Sequence, residues 1–230
     1  MELSIIIPAH NEEGNLPVLL ERITSEAEHM GIEYEVIVVN DNSTDDTEKT
    51  LSQLKEKHKR LIVINRRSKR GVGNTLREGF KTAKGEIIIT MDADMSHDPQ
   101  DIPRLYNKAT EGYDVVIGSR YVKGGGMDTT PGRLILSKGF ALFSNILGLP
   151  LKDATTGYRA QRRDVIEALN LEATGFEIHV EIPMKAKRKG FKLCEVPIKY
   201  GRRKEGKSKL RYIEEGPRYI KIAIKSALGL

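Results

Sequence analysis

Asp92 and Asp94 stand one residue apart in the segment MDADMSHDP, directly after the apolar run EIIIT. Two carboxylates at the carboxyl end of a buried strand occupy the crevice where open α/β sheets bind ligands, and their hard oxygens suit a divalent cation bridging to phosphates. The pattern reads as a nucleoside-diphosphate site, although a solvated acidic turn or a helix cap explains a DxD that stands alone. Two further segments favour the chemistry. In IIIPAHNEEGN, Ile5 to Ile7 fit a buried parallel strand that Pro8 ends, because proline donates nothing to a ladder. In VIVVNDNSTDDT a second β-branched run ends at Asp41, with Ser43 or Thr44 placed to cap the next helix. Three strand ends therefore carry acids or amides: Asn11 with Glu12, Asp41, and Asp92 with Asp94.

The elements that must hold these groups alternate through the first half. Strands are expected at Leu3 to Pro8, Tyr34 to Asn40, Leu61 to Asn65, Glu86 to Asp92 and Asp114 to Ser119. Helices are expected from Asn15, with Pro17 in the first turn, and over Thr44 to Lys57, Gly73 to Ala83 and Pro99 to Glu111. Such alternation implies right-handed crossovers and an α/β fold with a mainly parallel central sheet flanked by helices. The second half is less regular. A glycine hinge at Gly124 to Gly126 precedes a helical pattern from Pro131 to Leu147, and KDATTGYRAQRR contains a short strand. A helix over Thr174 to Lys189, a strand over Lys192 to Tyr200, the basic loop GRRKEGKSKL and a last helix from Tyr212 to Leu228 complete the chain.

A length of 230 residues suits one compact domain, 1–230. The lone Cys194 has no internal disulfide partner, and Met1 leads into a strand rather than a basic and apolar leader, so the cytosol is the expected compartment. A net charge of +6 favours an anionic partner, and the basic residues gather in the last third. No zinc spacing, helix-turn-helix pattern or RNA-binding aromatic signature accompanies them, which argues against nucleic acid and for phosphates and lipid headgroups.

In order and spacing, IIIPAHNE, VNDNSTDDT and MDADMSHDP resemble the family 2 inverting glycosyltransferases of GT-A fold. GSRYVKGG, GRLILSKG, DATTGYRA, GFEIHVEI and the closing RxxGxSKL pattern narrow the likeness to the polyprenol-phosphate (dolichol-phosphate) mannose synthases, in a short form without transmembrane helices. The resemblance implies transfer of mannose from GDP-mannose to polyprenyl (dolichyl) phosphate with inversion. It also implies a nucleotide-binding half, 1–120, and an acceptor-binding half, 121–230.

By the same resemblance, Asp92 and Asp94 hold Mg²⁺ or Mn²⁺ against the diphosphate. Ser96 stands where many relatives have Gln as a third metal-side ligand. Pro8, Ala9, His10 and Glu12 match positions bordering base and ribose, Asp41 matches one contacting the base, and Ala93 leaves room for the ribose. Arg120, Arg203 and Lys209 are assigned to the nucleotide sugar, with Asp94, Arg120 and Arg203 in the catalytic role; Arg203 and Lys209 sit on a basic loop that could close over donor and acceptor phosphates together, while Arg133 and Lys138 match an acceptor-phosphate helix start. His97 reads as a turn histidine, since hard cations prefer oxygen.

No apolar run approaches the roughly 20 residues needed to cross a bilayer. Contact with the cytoplasmic face of a membrane is therefore expected to be peripheral. It would run through Phe140, Phe143, Ile146 and Leu147 of one helix and through the last helix, where Ile220, Ile224 and Ala227 oppose Arg218, Lys221 and Lys225. The alternative for both helices is that they cover the sheet. A separate membrane-anchoring subunit is a further partner consistent with the missing span. Two other functions compete. One is a glycosyltransferase of the same family using UDP-glucose or another UDP-sugar. The other is a nucleotide-binding protein of another class, disfavoured because RGVGNTLREG lacks the third glycine of GxGxxG and no GxxxxGKS loop exists.

Overall fold

The structure, a computed structural model, describes residues 1–127, 131–201 and 212–229. Along the chain come β1 (Leu3–Ala9), α1 (Leu16–His29), β2 (Tyr34–Asp41), α2 (Thr47–Lys57), β3 (Leu61–Arg66), α3 (Val72–Thr82) and β4 (Ile87–Thr90). A 3-10 turn at Pro99–Asp101 leads into α4 (Ile102–Thr110), then β5 (Val115–Ser119), β6 (Gly126–Met127) and α5 (Pro131–Ile146). The remainder is β7 (Arg159–Arg162), α6 (Arg163–Ala168), α7 (Ile178–Arg188), β8 (Leu193–Pro197), β9 (Lys199–Tyr200) and α8 (Tyr212–Leu228).

Seven strands form one sheet in the order β3-β2-β1-β4-β7-β5-β8. All pairs are parallel except those of β7, which runs antiparallel to both β4 and β5. The continuous apolar runs of β1 and β2 follow from cover on both faces. Leu3, Ile5 and Ile7 belong to one core cluster with Leu19 and Ile23 of α1 and Leu105 of α4, while Ile6, Ile37 and Val39 belong to a second with Leu76 and Phe80 of α3 and Ile182 of α7. Register aligns the carboxyl ends, with Ala9 opposite Asn40, Asp41 opposite Arg66 and Ile6 opposite Thr90. The three acid-bearing strand ends therefore open at one edge.

Several expectations change. α2 starts at Thr47 rather than Thr44, because Ser43 Oγ donates to Asn40 Oδ1 (2.6 Å) and the Thr44 amide to Asn11 Oδ1 (2.8 Å), so these residues build the turn instead of capping. Asn15 occupies the N-cap of α1 but makes no side-chain cap, donating instead to Glu12 Oε2 at 2.8 Å. The helix expected from Thr174 begins at Ile178, and α6 arises where none was expected. The strand expected over Lys192 to Tyr200 divides after Pro197, and β9 leaves the main sheet to pair with β6, so Gly126 of the expected hinge is a strand residue.

α8 covers the core with Tyr219, Ile222 and Ala223 and still exposes Ile220 and Ile224. On α5 the expectation is corrected. Phe140 and Phe143 pack against the core, Phe140 meeting the Tyr219 ring edge-on at 5.3 Å, and Ile135, Leu142 and Ile146 are the apolar residues left outside. No helix among the described residues is long and apolar enough to cross a membrane.

Candidate functional site

The strand ends of β1 and β2, the segment after β4 and the first turn of α3 line a cleft that is open to solvent. Its lining includes Pro8, Ala9, His10, Glu12, Asp41, Asp92, Ala93 and Asp94, which were all singled out from the sequence. It also includes Val72, Thr75 and Phe176, which were not. Segments 80 residues apart in sequence thus meet because parallel crossovers return each strand to the same edge.

Each wall is fixed by its own bonds. Asp41 is buried, with Oδ1 paired to the Arg66 guanidinium and Oδ2 accepting the Gly71 amide at 2.8 Å. His10 Nδ1 lies 3.1 Å from the Asp41 carbonyl, which only accepts, so the proton sits on Nδ1 and Nε2 accepts from Arg70 Nη1. Glu12 takes the Asn15 amide group and offers its own backbone N–H to Thr47 Oγ1 at 2.9 Å, locking the start of α1 to that of α2.

Asp94 is 2% exposed, and its Oδ1 accepts from both the Ser96 amide (3.0 Å) and the Ser96 hydroxyl (2.5 Å). Ser96 itself is buried and absent from the described cleft lining, so in this geometry it orients Asp94. His97 lies in the bend after β4, as a turn histidine, but its ring is turned inward. It is buried, its Nδ1 accepts the Asp92 amide at 3.0 Å, and its ring stacks on Tyr158 (4.8 Å) and meets the edge of Tyr200 (5.3 Å). Desolvation pushes its pKa below the ordinary value, which keeps the imidazole neutral and the Nδ1 lone pair available. Gly157 completes this wall, since a Cβ there would come within 3.1 Å of Asp92 Oδ1 and 3.2 Å of His179 Cε1.

Asp92 and Asp94 supply hard oxygens at the cleft, and the described residues contain no group of three or more His, Cys, Asp or Glu able to hold a metal. That donor set fits a hard divalent cation whose remaining ligands are phosphate oxygens and water. Arg120 does not line the described cleft. Its Nε and Nη2 form a fork on Asp153 at 2.6 Å each, Nη2 also reaches Thr155 Oγ1, and the guanidinium lies over the Tyr121 and Tyr200 rings. Lys138 lies exposed on α5, which also carries Arg133. Arg203 and Lys209 fall outside the described residues.

The missed lining residues had faint signals. Val72 and Thr75 follow the third parallel strand, whose end also faces the crevice, and Arg66 and Arg70 of the intervening RRSKR stretch hold Asp41 and His10. Phe176 sits in GFEIHVEI, in the turn before α7, and only tertiary packing brings it to the cleft.

The family model described as glycosyl transferase family 2 matches residues 4–169, which include every strand-end acid of the cleft. The chain belongs to glycosyl transferase family 2. Among similar proteins, the dolichol-phosphate mannosyltransferase of Pyrococcus furiosus is 39% identical over 216 residues, covering 92% of this chain and 60% of that protein. The polyprenol monophosphomannose synthase of Mycolicibacterium smegmatis is 37% identical, covering 90% of this chain and 80% of that one. The undecaprenyl-phosphate mannosyltransferase of Micrococcus luteus is 36% identical, covering 91% and 88%. This family 2 chain therefore spans less than two thirds of the Pyrococcus relative's length. In fold it is similar to glucosyl-3-phosphoglycerate synthase from Mycobacterium tuberculosis, solved with Mn²⁺, UDP and phosphoglyceric acid, with a TM-score of 0.75 and 20% identity over 100% of this chain and 79% of that one. The fold is GT-A.

Proposed function

We propose that this family 2 chain transfers mannose from GDP-mannose to a polyprenyl (dolichyl) phosphate with inversion, using Mg²⁺ or Mn²⁺ held by Asp92 and Asp94. The observation that carries the proposal is the joint placement of Pro8, Ala9, His10, Glu12, Asp41 and Asp92 to Asp94 around one cleft. Three relatives named for mannose transfer or synthesis on lipid phosphates support the sugar and the acceptor. GDP as the donor's nucleotide rests on the sequence resemblance.

When bound, the cation would supply charge neutralisation for the departing diphosphate. The rest belongs to the chain. Ser96 and His97 hold Asp94 and the Asp92 backbone in place before substrate arrives, which is the preorganisation that electrostatic stabilisation requires. Asp41, braced by Arg66, is the acid that the sequence resemblance assigns to the base, and His10 and Glu12 line the same cleft. A lipid monophosphate has a second pKa of about 6, so it is already a nucleophile near neutral pH and needs no general base. Alignment for in-line attack at the anomeric carbon is the task left to the protein. Arg120, Arg203 and Lys209 toward the donor phosphates, and Arg133 and Lys138 toward the acceptor, are the cations assigned to that alignment.

The acceptor's location calls for a membrane surface, reached from the cytoplasmic side. Among the described residues, six of the eight large apolar side chains left exposed are Ile135, Leu142 and Ile146 of α5 and Ile220, Ile224 and Leu228 of α8. Lys138 lies on the same face of α5 as Ile135 and Leu142, by helical spacing, which suits an anionic interface.

The test is a transfer assay pairing radiolabelled GDP-mannose, UDP-glucose and UDP-N-acetylglucosamine each with a polyprenyl phosphate. Label extracted into the organic phase only with GDP-mannose is the expected outcome. Label with a UDP-sugar alone would replace the donor, and no organic-phase label with any donor would reject the proposal.

A further inference from the structure

Arg159 opens β7, the strand inserted antiparallel between β4 and β5, where it stands opposite Thr90 and Ile117 just below the Asp92 wall. It is 1% exposed. Its Nη2 donates to the Thr156 carbonyl, but Nε and Nη1 have no partner among the described residues. The nearest acids do not relieve it. Asp153 spends both carboxylate oxygens on Arg120, and Asp92 acts on Arg159 only through space. Burying a guanidinium with two idle donors carries a large desolvation cost, so a folded chain that keeps one implies a group to receive those donors.

The surroundings say where that group comes from. His179 of α7 is buried, feels the Arg159 charge, and also has an Nδ1 without a partner among the described residues. Its ring and Asp92 Oδ1 flank Gly157, leaving no room there for a Cβ, and the ring lies 6.3 Å from that of cleft-lining Phe176. Arg159 follows Gly157 by two residues, and Thr90, its partner across the sheet, donates its hydroxyl to the Gly157 carbonyl at 2.7 Å, so Arg159 lies directly behind the cleft wall that Gly157 forms. On the cleft side of that wall, Asp92, Asp94 and the proposed phosphates are all anionic, and Arg159 is the buried cation behind them.

We propose that Arg159 is a phosphate-binding residue of this site, its Nε and Nη1 donating to an anionic phosphate oxygen of a substrate. The inference rests on the phosphate chemistry of the proposed function and adds a cation that neither the sequence motifs nor the cleft lining assigned. One chemistry has two sources here, the donor's diphosphate and the acceptor's monophosphate, and separate binding measurements distinguish them.

The experiment compares the full chain with Arg159→Gln, which removes the charge, and Arg159→Lys, which keeps it without the planar fork. Calorimetry is run with GDP in the presence of Mn²⁺ and, separately, with a short water-soluble isoprenyl monophosphate, and melting temperatures establish folding. Both variants should weaken binding of one of these phosphates by about tenfold or more, the scale of a lost charge-assisted hydrogen bond, and leave the other within about twofold. Weakened GDP binding assigns Arg159 to the donor, and weakened isoprenyl phosphate binding assigns it to the acceptor. If Arg159→Gln fails to fold, Arg159→Lys decides alone. Folded variants that bind both phosphates like the wild type would overturn the inference, leaving the idle donors to a buried water. A wild type that binds neither phosphate would instead overturn the proposed function from which the inference starts.

Discussion

Asp94 shows how little of this site is left to chance at the level of single residues. One carboxylate oxygen receives two bonds from Ser96, and the neighbouring Asp92 amide is anchored on His97, so the pair is aimed before any cation is present. Asp92→Asn or Asp94→Asn should lower turnover at least about a hundredfold, the range of a lost electrostatic stabiliser, while a melt shows the fold intact. Near-normal turnover in both variants would remove the metal assignment. The buried histidines give a second expectation. His97 and His179 are held neutral by desolvation, with pKa values below the ordinary one, and that of His179 is well below it. The unfolded chain protonates such groups near pH 6.5, so the stability due to their burial is complete above that pH and is lost as pH falls toward the depressed folded values. Each contributes a slope of about 1.4 kcal/mol per pH unit in that window. Melting temperature should therefore fall between pH 7.5 and pH 5.5, and His179→Gln should fall less steeply. An unchanged slope in the variant would show that His179 is not the group titrating.

Elements, rather than residues, explain what the sequence disclosed and what it concealed. The acids after β1, β2 and β4 were legible because parallel strands joined by right-handed crossovers must end at one edge, and an acid just past each apolar run marks that edge. β7 was legible as a strand but not as the antiparallel insert between β4 and β5, since periodicity carries no information about distant partners. For that reason Arg159, an ordinary polar strand residue in sequence, emerges only in the structure as a buried cation. The facing of α5 was hidden similarly: Phe140 and Ile146 are equally apolar, and only Tyr219 of α8 decides that Phe140 turns inward. The seating of α3 offers a test at this scale. A Cβ at Gly73 would come within 2.2 Å of the Ala173 carbonyl oxygen, in the segment leading to Phe176. Gly73→Ala should therefore destabilise by about 1–3 kcal/mol through overpacking. It should also weaken nucleotide binding, because Val72 and Phe176 line the cleft from the two sides of that contact. A variant as stable as the wild type would show that the contact yields easily.

At the scale of the whole molecule, the proposed acceptor resides in a bilayer that the cleft at the strand ends would have to meet, and the exposed apolar faces of α5 and α8 are the surface proposed to bring it there. Sedimentation with anionic liposomes should decline as salt rises, because the Debye length is about 8 Å at physiological ionic strength. Leu142→Ser with Ile146→Ser should reduce binding without a large loss of stability, since both side chains are already exposed. Lys138→Glu and Lys221→Glu should act similarly, whereas Lys225 is engaged by Glu172 and would report on folding instead. Undiminished liposome binding in these variants would place the interface elsewhere. Lipid-phosphate mannosylation at a metal-bearing cleft is read out as label extracted into organic solvent from GDP-mannose, with polyprenyl phosphate and Mn²⁺ present or withheld in turn. Mannosyl lipid is expected only when both are present, with activity abolished by chelator and restored by added cation. Mannosyl lipid formed at an undiminished rate in excess chelator, or label released only as water-soluble sugar regardless of the lipid, would contradict that expectation.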